Sequence, residues 1–227
     1  MLRNLTLIAF CLIALAVAAS AQKKSTDAEV KPQTLKKSNP RPAGKSPKAE
    51  PFEKATIEAM SAQCVKLETE AGVIALEMFP ESAPESVRNF LNLAAIGAFD
   101  TTTFSRVVPR FVIQGGNLST REKQTPELAA RSRRTIPDEP NQIKHERGTL
   151  SVARANEPNT ASTHFFILVD SAPSLDGTFA AFGRVTQGME VVDAINKMPV
   201  ENEKPAKPVR ITRAAVAPCA PPATTPK

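Results

Sequence analysis

The sequence predicts a mainly β domain that contains many short strands and two helices. Eight short segments are rich in β-branched and aromatic residues and are bounded by turn-forming residues, as the strands of an antiparallel sheet usually are. Two further segments carry apolar residues at helical spacing. This combination favours a closed β-barrel with helices over its open ends, but the pattern alone does not separate a barrel from an α+β sandwich.

The predicted strands are short and follow one another from residue 65 to residue 216. The first two flank a turn at Ala71-Gly72, where glycine permits backbone conformations that other residues resist. The eight predicted ranges are 65–69, 73–79, 104–107, 112–114, 149–153, 164–169, 181–185 and 209–216.

The first predicted helix begins at Ser82-Ala83-Pro84-Glu85, which is a capping-box pattern with proline near the first helical position. Its apolar residues recur at positions i, i+3, i+4, i+7 and i+8, and Gly97 is a natural stop. A second helix is predicted over residues 189–198. The apolar face of the first helix consists of Val87, Phe90, Leu91, Ala94 and Ala95.

Residues 1–21 have the three parts of a secretory signal peptide. Arg3 supplies a positive charge, residues 5–18 are almost continuously apolar, and Ala19-Ser20-Ala21 fits a cleavage site. The sequence therefore predicts an exported protein of the periplasm or cell envelope, with no stable membrane insertion once the signal is removed. Retention of this segment as an N-terminal membrane anchor is the alternative.

Residues 22–56 are rich in Lys and Pro and poor in large apolar residues, so they bury too little surface to offset the entropy of ordering. We expect a disordered linker here, one folded domain over residues 57–217 and a disordered tail over residues 218–227. The formal net charge of +6 lies entirely in residues 1–56, which leaves the predicted domain formally neutral. A neutral domain argues against nucleic-acid binding.

One polar pair interrupts the apolar segment 104–116. Arg106 and Gln114 are eight residues apart, an even offset that places both side chains on one face of an extended chain. Phe111 is at an odd offset from Arg106 and joins the pair only if the chain turns near Pro109. Such a group could hydrogen-bond a peptide backbone beside an apolar ring; an ordinary half-buried strand pair is the alternative.

Several later segments add to this motif, and their type, order and spacing match a known family. Together with the 104–116 segment, they make the sequence resemble the cyclophilins, which are peptidyl-prolyl cis-trans isomerases, over residues 65–216. The resemblance implies an eight-stranded antiparallel barrel capped by two helices, an enzyme acting on proline-containing polypeptides, and no cofactor. The later segments are GTLSVARA from Gly148, HFFI from His164, LDG from Leu175 and FGRV from Phe182.

The resemblance also implies a role for each residue of the site. Arg106, Phe111 and Gln114 would form the catalytic group, in which Arg106 donates to the prolyl nitrogen and Gln114 holds the guanidinium. Ala153 and Arg154 would bind the substrate backbone through their main-chain groups. The other predicted substrate-binding residues are Val112, His164, Phe166, Leu175 and Phe179.

Some positions depart from the family pattern. His164 stands where the family most often has Gln, and Phe179 stands where it commonly has His or Tyr. The loop 119–135, usually Gly-rich in the family, carries several Arg residues and a potential short helix from Pro126. We expect a solvated surface loop, with a basic rim beside the substrate groove as the alternative. His145 is expected on the surface, and two His residues without a nearby carboxylate or Cys pattern predict no metal site.

Two cysteines remain after signal removal. In the barrel of this family the first and last strands are neighbours. Cys64 precedes the first strand and Cys219 follows the last, so the resemblance implies that the two sulfurs are close. An exported protein meets oxidising conditions, which permit a Cys64–Cys219 disulfide. Two unpaired thiols are the alternative.

The sequence favours a monomeric enzyme over two other classes of protein. One alternative is a non-catalytic, cyclophilin-like module that holds peptides or unfolded chains. A pure binder has no reason to keep Arg106, Phe111 and Gln114 together, and this chain has all three. The other alternative is a membrane-tethered scaffold, which depends only on whether residues 1–21 are removed.

Overall fold

The computed structural model describes residues 49–219. The predicted signal peptide (1–21), most of the predicted linker (22–56) and residues 220–227 of the predicted tail lie outside the described residues. Within residues 49–219, no helix combines the length and the apolar character needed to cross a membrane.

The described residues form ten strands, which are β1 Gln63–Thr69, β2 Gly72–Met78, β3 Arg106–Val108, β4 Val112–Gly115, β5 Thr149–Val152, β6 Phe165–Leu168, β7 Ala181–Gln187, β8 Val200–Glu201, β9 Lys204–Pro205 and β10 Ile211–Pro218. Eight of them form one antiparallel sheet in the order β10-β1-β2-β7-β5-β6-β4-β3. Each of these eight corresponds to a predicted strand, so the mainly β fold with eight antiparallel strands is confirmed. The hairpin β8–β9 was not predicted.

The sheet curls but does not close, so the predicted closed barrel is corrected to an open half-barrel. Among the described residues, the edge strands β3 and β10 share no ladder, and one isolated bridge between Thr103 and Arg210 joins the segments that precede them. β3 has only three residues, and the β8–β9 hairpin occupies its outer edge. There the Val107 N–H donates to the Glu203 carbonyl at 2.8 Å, which leaves no room for β10 as a partner.

Four α-helices lie within the described residues, which are α1 Ile57–Ser61, α2 Pro84–Ala95, α3 Pro126–Arg131 and α4 Met189–Asn196. The two predicted helices are confirmed as α2 and α4. α3 begins at Pro126, where the sequence indicated a potential short helix. α1 was missed because five residues are too few to show a helical period.

The N-terminus of α2 is capped by a distant carboxylate, so the predicted capping box is wrong. The N-cap residue is Ala83, and no side chain at that position accepts a hydrogen bond. The Glu139 carboxylate instead accepts from the N–H groups of Glu85 and Ser86 at 2.9 and 2.8 Å. It satisfies N–H groups that the first turn of any helix leaves without partners, and its charge favours that end of the helix dipole.

Helix α2 supplies the aromatic centre of the core. The Phe90 ring lies 5.1 Å from Phe99 and 5.2 Å from both Phe165 and Phe182, measured between centroids, and all four rings are buried. Burying each ring stabilises the fold by about 1.5–3 kcal/mol. On β6 the next residue, Phe166, belongs to a second apolar cluster, because successive side chains of a strand point to opposite faces. One strand thus contributes to the core and to the cavity described below.

The folded part begins before residue 57, where the predicted linker was expected to end. The Phe52 N–H donates to Asn92 Oδ1 at 2.7 Å. Arg88 donates to the carbonyls of Phe52 and Ala55 at 3.0 and 2.7 Å. Both partners lie on α2, so the local composition of the Lys- and Pro-rich segment could not reveal these contacts.

A disulfide joins the edge strand β10 to its neighbour β1. Cys64 in β1 and Cys219 just after β10 are bonded, with Cα atoms 4.8 Å apart. The sequence separation is 155 residues. In the chain-entropy model, closing a loop of this length stabilises the folded state by about 5 kcal/mol. The same strand carries the domain to Pro218, past the predicted end at residue 217.

Candidate active site

Arg106 and Gln114 lie directly opposite each other on β3 and β4. Arg106 Nη1 donates to Gln114 Oε1 at 3.2 Å. Directly opposed residues of an antiparallel pair project to the same face. The even offset therefore predicted the correct face, although the chain between the two residues is a hairpin rather than one extended segment.

The turn between β3 and β4 is held by a residue that the sequence analysis missed. Arg110 adopts φ 61°, in the left-handed region that reverses the chain. Buried Asn196, at the end of α4, binds this turn: Oδ1 accepts from the Arg110 N–H at 2.8 Å, and Nδ2 donates to the carbonyls of Val108 and Val112 at 2.9 and 3.1 Å. The predicted turn is present, and it brings Phe111 to the cavity that Arg106 lines.

An open cavity of about 160 Å³ collects nine of the ten predicted catalytic and substrate-binding residues. They come from strands β3, β4 and β6 and from the loops that follow β3, β5 and β6, so the sheet rather than any single segment assembles the cavity. Its lining consists of Arg106, Phe111, Val112, Gln114, Ala153, Arg154, Phe166, Leu175 and Phe179.

The cavity has an apolar floor and a polar rim. Val112 and Phe166 are buried and pack with half-buried Phe111, Leu175 and Phe179 in the second apolar cluster. The rings of Phe166 and Phe179 meet edge to face at 6.1 Å between centroids. A small number of polar groups around an apolar floor is typical of ligand sites in proteins.

The main chain beside the cavity offers two polar groups to a ligand. The Ala153 N–H already donates to the His164 carbonyl at 3.0 Å, so it extends the pairing of β5 with β6. The Ala153 carbonyl and the Arg154 N–H have no hydrogen-bond partner within residues 49–219. These two groups remain for a substrate backbone.

The Arg154 side chain forms part of the wall. Its guanidinium carbon lies 5.0 Å from the centroid of the Phe179 ring, and Nε lies 3.3 Å from a carboxylate oxygen of Asp138. A cation over an aromatic face is attracted by the ring quadrupole. Arg154 therefore fixes the position of Phe179 in addition to presenting its backbone.

His164 is the one predicted site residue that does not line the cavity. It is half-buried at the start of β6, and only its main-chain carbonyl connects to a lining residue, Ala153. Burial lowers the pKa of its imidazole below the ordinary value of 6.5. His164 thus supports the strand that carries Phe166, and the structure places no part of its ring in the cavity wall.

Arg106 has a second partner, Glu203, which the sequence analysis did not identify. Arg106 Nε lies 2.7 Å from Glu203 Oε2, and the two side chains are 42% and 48% exposed. Glu203 lies between β8 and β9, and Asn202 beside it is a residue typical of tight turns. That asparagine is the one local signal for the hairpin. We call Arg106, Gln114 and Glu203 the arginine cluster.

His145 is buried, which corrects the expectation of a surface residue. Only 1% of it is exposed, and its ring nitrogens lie 2.9 Å from Ser151 Oγ and 3.2 Å from Asp176 Oδ1. Burial lowers its pKa below 6.5, although the hydrogen bond and the charge of Asp176 act in the opposite direction. We call His145, Ser151 and Asp176 the histidine cluster. Residues 49–219 contain no group of three or more His, Cys, Asp or Glu placed to hold a metal ion.

Arg121 and Arg131 of the 119–135 loop bind other parts of the fold. Arg121 Nη1 donates to the carbonyls of Gly97 and Ala98 at 2.6 and 2.7 Å, just after α2. Arg131 forms a salt bridge with Glu50 in the N-terminal segment. No residue of this loop lines the cavity, so the alternative of a basic rim beside the groove is not supported.

Comparison with known proteins agrees with this geometry. Residues 64–216 match the family model described as cyclophilin type peptidyl-prolyl cis-trans isomerase/CLD. Peptidyl-prolyl cis-trans isomerase A of Dickeya dadantii is 36% identical over 162 residues, which cover 67% of this chain and 83% of that protein. Peptidyl-prolyl cis-trans isomerase CYP18-2 of Arabidopsis thaliana is 38% identical over 160 residues, covering 67% and 92% of the two chains.

A solved structure shows the same fold. The cyclophilin type peptidyl-prolyl cis-trans isomerase of Cryptosporidium parvum, crystallised in the presence of the dipeptide Ala-Pro, has a TM-score of 0.60 and 30% identity to this chain. The match covers 68% of this chain and 98% of that one. The chain therefore belongs to the cyclophilin-type peptidyl-prolyl cis-trans isomerases, and both the predicted family and the predicted class of enzyme are confirmed.

Proposed function

We propose that this protein accelerates rotation about X-Pro bonds in exported polypeptides, and that Arg106 does so by donating a hydrogen bond to the prolyl nitrogen. One observation carries the proposal: Arg106 and Gln114 are hydrogen-bonded to each other at a cavity with an apolar floor. A directed positive charge beside a pocket for an apolar ring matches the chemistry of a twisted prolyl amide.

The reaction breaks no covalent bond, so the catalyst needs neither a nucleophile nor a proton acceptor. Resonance in the C–N bond opposes rotation with a barrier of about 18–20 kcal/mol. At the top of that barrier the resonance is lost and the prolyl nitrogen has a free lone pair. A donor aimed at this nitrogen binds the twisted state more strongly than either planar isomer, and such differential binding raises the rate.

Arg106 is suited to this task because an arginine guanidinium stays charged and offers several directed donors. Gln114 accepts from Nη1 and so limits the directions in which the group can point. Acceleration by about four powers of ten needs about 5–6 kcal/mol of differential binding. A preorganised charged donor can supply a large part of that amount.

The remaining residues hold the substrate in place. The proline ring packs on Val112, Phe166 and Leu175, and the residue before proline pairs with the Ala153 carbonyl and the Arg154 N–H. The Ala-Pro dipeptide named with the Cryptosporidium parvum structure supports a proline-containing ligand for this site. With the proline ring and the residue before proline both held, the carbonyl group between them is the part of the substrate that can still rotate.

The proposal is tested by replacing Arg106. Arg106→Ala is expected to lower kcat/KM for a proline peptide by about 10²–10³-fold, as the removal of one transition-state donor typically does. Arg106→Lys should also be poor, because one ammonium group cannot keep both the Gln114 contact and the substrate contact. Arg213→Ala, which removes an exposed Arg outside the cavity, is the matched control and should keep wild-type activity.

Two results would contradict the proposal. Folded Arg106→Ala with activity within about twofold of wild type would exclude the role of the guanidinium, since a lost transition-state contact changes rates by far more. A wild-type protein that binds proline peptides without accelerating their isomerisation would identify the non-catalytic module instead.

The proposed place of action is the periplasm or cell envelope, and the proposed active form is a monomer. The signal-peptide pattern of residues 1–21 supports export. A Cys64–Cys219 disulfide also supports it, because disulfides form and persist in oxidising compartments. Mass spectrometry of the exported protein should find Gln22 at its N-terminus, and light scattering should give the mass of one chain. An intact residue 1–21 segment in the membrane fraction would identify the anchored alternative.

A further inference from the structure

The second partner of Arg106 lies at the tip of a hairpin that the sequence did not reveal. Glu203 Oε2 is 2.7 Å from Arg106 Nε, and Gln114 Oε1 is 3.2 Å from Arg106 Nη1. The guanidinium therefore has one anchor on β4 and another on the β8–β9 hairpin. Within residues 49–219, its third nitrogen, Nη2, has no hydrogen-bond partner.

The backbone at the hairpin tip is strained at Glu203. Asn202 and Glu203 adopt φ values of 49° and 64°, in the left-handed region. Two-residue hairpin turns of this kind favour Asn followed by Gly, because glycine has no Cβ to oppose the conformation. Asparagine tolerates the left-handed conformation, whereas for glutamate the Cβ makes this conformation unfavourable. Strained backbone of this kind concentrates at functional sites.

The hairpin is also docked by its main chain. The Glu203 carbonyl accepts from the Val107 N–H at 2.8 Å, so the residue that contacts Arg106 is bonded to the next residue of the same strand. This bond fixes the backbone of Glu203 relative to Arg106 and leaves the carboxylate few positions to occupy. The backbone contact does not require a side chain, whereas the guanidinium contact does.

We infer that Glu203 is a positioning residue for the isomerase reaction: it holds Arg106 through Nε while Gln114 holds it through Nη1, which directs the free Nη2 edge to the substrate. The inference rests on the proposed role of Arg106. A long, half-exposed Arg held at one nitrogen would sample several rotamers, and small misplacements of a reacting group lower rates sharply. The carboxylate contacts Arg106 in ground and transition states alike, so its effect is on geometry.

Glu203→Gly separates this role from a structural one. The variant keeps the carbonyl that binds Val107 and relieves the positive-φ strain, and it removes the side chain that contacts Arg106. We expect kcat to fall by about tenfold with KM unchanged. We expect Tm to be unchanged or higher, because a half-exposed salt bridge contributes little to stability and glycine suits this turn. Glu203→Gln, which keeps an acceptor oxygen, should recover part of the loss.

Glu201→Gly on the same hairpin is the matched control, because it removes an equal charge and also introduces glycine. Its activity should equal that of wild type. A second readout needs no catalysis: the ¹⁵N-resolved Nε–H signal of Arg106, assigned by its loss in Arg106→Lys, should exchange slowly with solvent in wild type and at least about tenfold faster in Glu203→Gly, because the hydrogen bond that protects it is gone.

The possible outcomes separate the proposed isomerase function from the positioning role of Glu203. If wild type proves inactive but the Nε–H is protected only when Glu203 is present, the proposed function fails while the contact stands. If Glu203→Gly keeps full kcat, or exceeds wild type because the carboxylate competes with substrate, the positioning role is overturned. Unchanged Nε–H exchange in Glu203→Gly would overturn it as well.

Discussion

Two polar clusters in this protein are built from similar groups but have opposite surroundings. The arginine cluster lies at the rim of the cavity, where the side chains of Arg106 and Glu203 are 42% and 48% exposed. The histidine cluster has hydrogen bonds of similar length, but His145 and Ser151 are 1% and 0% exposed. The first cluster can touch a substrate, whereas the imidazole and the hydroxyl of the second cannot. Accessibility, more than residue type, separates a reaction site from a support.

The histidine cluster has the residue types of a catalytic site but not the accessibility. Ser, His and Asp are the residues of a nucleophilic triad, and the His145 ring contacts both partners. A triad needs a serine oxygen that is free to attack. Ser151 Oγ instead donates to the Ala180 carbonyl at 2.8 Å and has no exposed surface. The cluster therefore joins the 145–151 segment to the loop around Asp176.

The largest expected effect on stability comes from the disulfide, which belongs to the supporting part of the molecule. The double variant Cys64→Ser/Cys219→Ser should lower the free energy of unfolding by about 5 kcal/mol in the chain-entropy model. Its kcat/KM at 25 °C should equal that of wild type, because neither cysteine lines the cavity. Urea unfolding and a peptide isomerisation assay on the same samples measure both quantities.

Thiol titration provides the control for that experiment. The denatured, exported wild-type protein should contain no free thiol, and reduction should reproduce the stability of the double variant. Two free thiols in protein purified without reductant would show that the bond does not form in the cell.

Breaking the histidine cluster should change stability far more than activity. His145→Ala leaves the buried Ser151 hydroxyl without one partner and creates a cavity, so we expect a loss of about 2–4 kcal/mol in unfolding free energy. The kcat/KM of the folded protein should stay within about threefold of wild type, because no contact to a transition state is removed. Gln142→Ala, at an exposed position nearby, is the control. A large fall in kcat/KM at unchanged stability would remove the distinction between the two clusters.

Asn196 belongs to the supporting structure but holds the turn that carries Phe111. Its replacement should therefore lower both the unfolding free energy and kcat/KM. Asn196→Ala leaves the Arg110 N–H and two carbonyls without their partner, and we expect about 1–3 kcal/mol of lost stability. Displacement of Phe111 should lower kcat/KM by about tenfold. Lys197→Ala, the next and exposed residue of the same segment, should change neither. A stability loss without an activity loss would show that the turn tolerates displacement.

The smallest expected effect is on the pH dependence of stability. Burial lowers the pKa of His145 and His164 in the folded protein below 6.5, so the unfolded chain binds these protons more readily. Stability is therefore complete above pH 6.5 and falls as the pH drops from there through the folded-state pKa values. Each histidine contributes a slope of at most about 1.4 kcal/mol per pH unit.

Asp176 extends the loss to lower pH. Its pKa lies below 3.8 in the folded state because it accepts from the His145 N–H and from Lys144, so its contribution is lost only as the pH falls further. Unfolding free energies measured from pH 7.5 down to about pH 2.5 should show both losses, and His164→Gln should reduce the histidine part of the slope without changing kcat/KM. A slope unchanged in that variant would assign the whole effect to His145.

The sequence was sufficient for the parts of the site that are set by local pattern. Arg106 and Gln114 are close in the chain, and the turn between them is short, so their meeting follows from strand geometry. Phe166 reaches the cavity because it alternates with core residue Phe165 on β6. These positions also carry the resemblance to the cyclophilins. That resemblance predicted the cavity residues that follow β5 and those in the loop at Leu175.

The residues that the sequence could not reveal all act across long separations. Glu203 meets Arg106 from 97 positions away, and Asn196 binds the Arg110 N–H from 86 positions away. Glu139 caps α2 from more than 50 positions away. A single Glu or Asn has no periodic signature, so only the folded chain shows which backbone or charge it meets. The prediction of a closed barrel was wrong for the same reason. The β8–β9 hairpin that covers β3 contacts it across a long sequence separation, which the sequence pattern does not show.

The covalent link between Cys64 and Cys219 also determines how the domain carries mechanical load. Tension that reaches β1 from its N-terminal side passes directly to the end of β10, because Cys64 and Cys219 are bonded with Cα atoms 4.8 Å apart. The force passes through the disulfide and bypasses the 155-residue loop that holds the cavity. A pull on both ends of the disulfide-linked pair would therefore leave the strands that carry Arg106 and Gln114 unloaded.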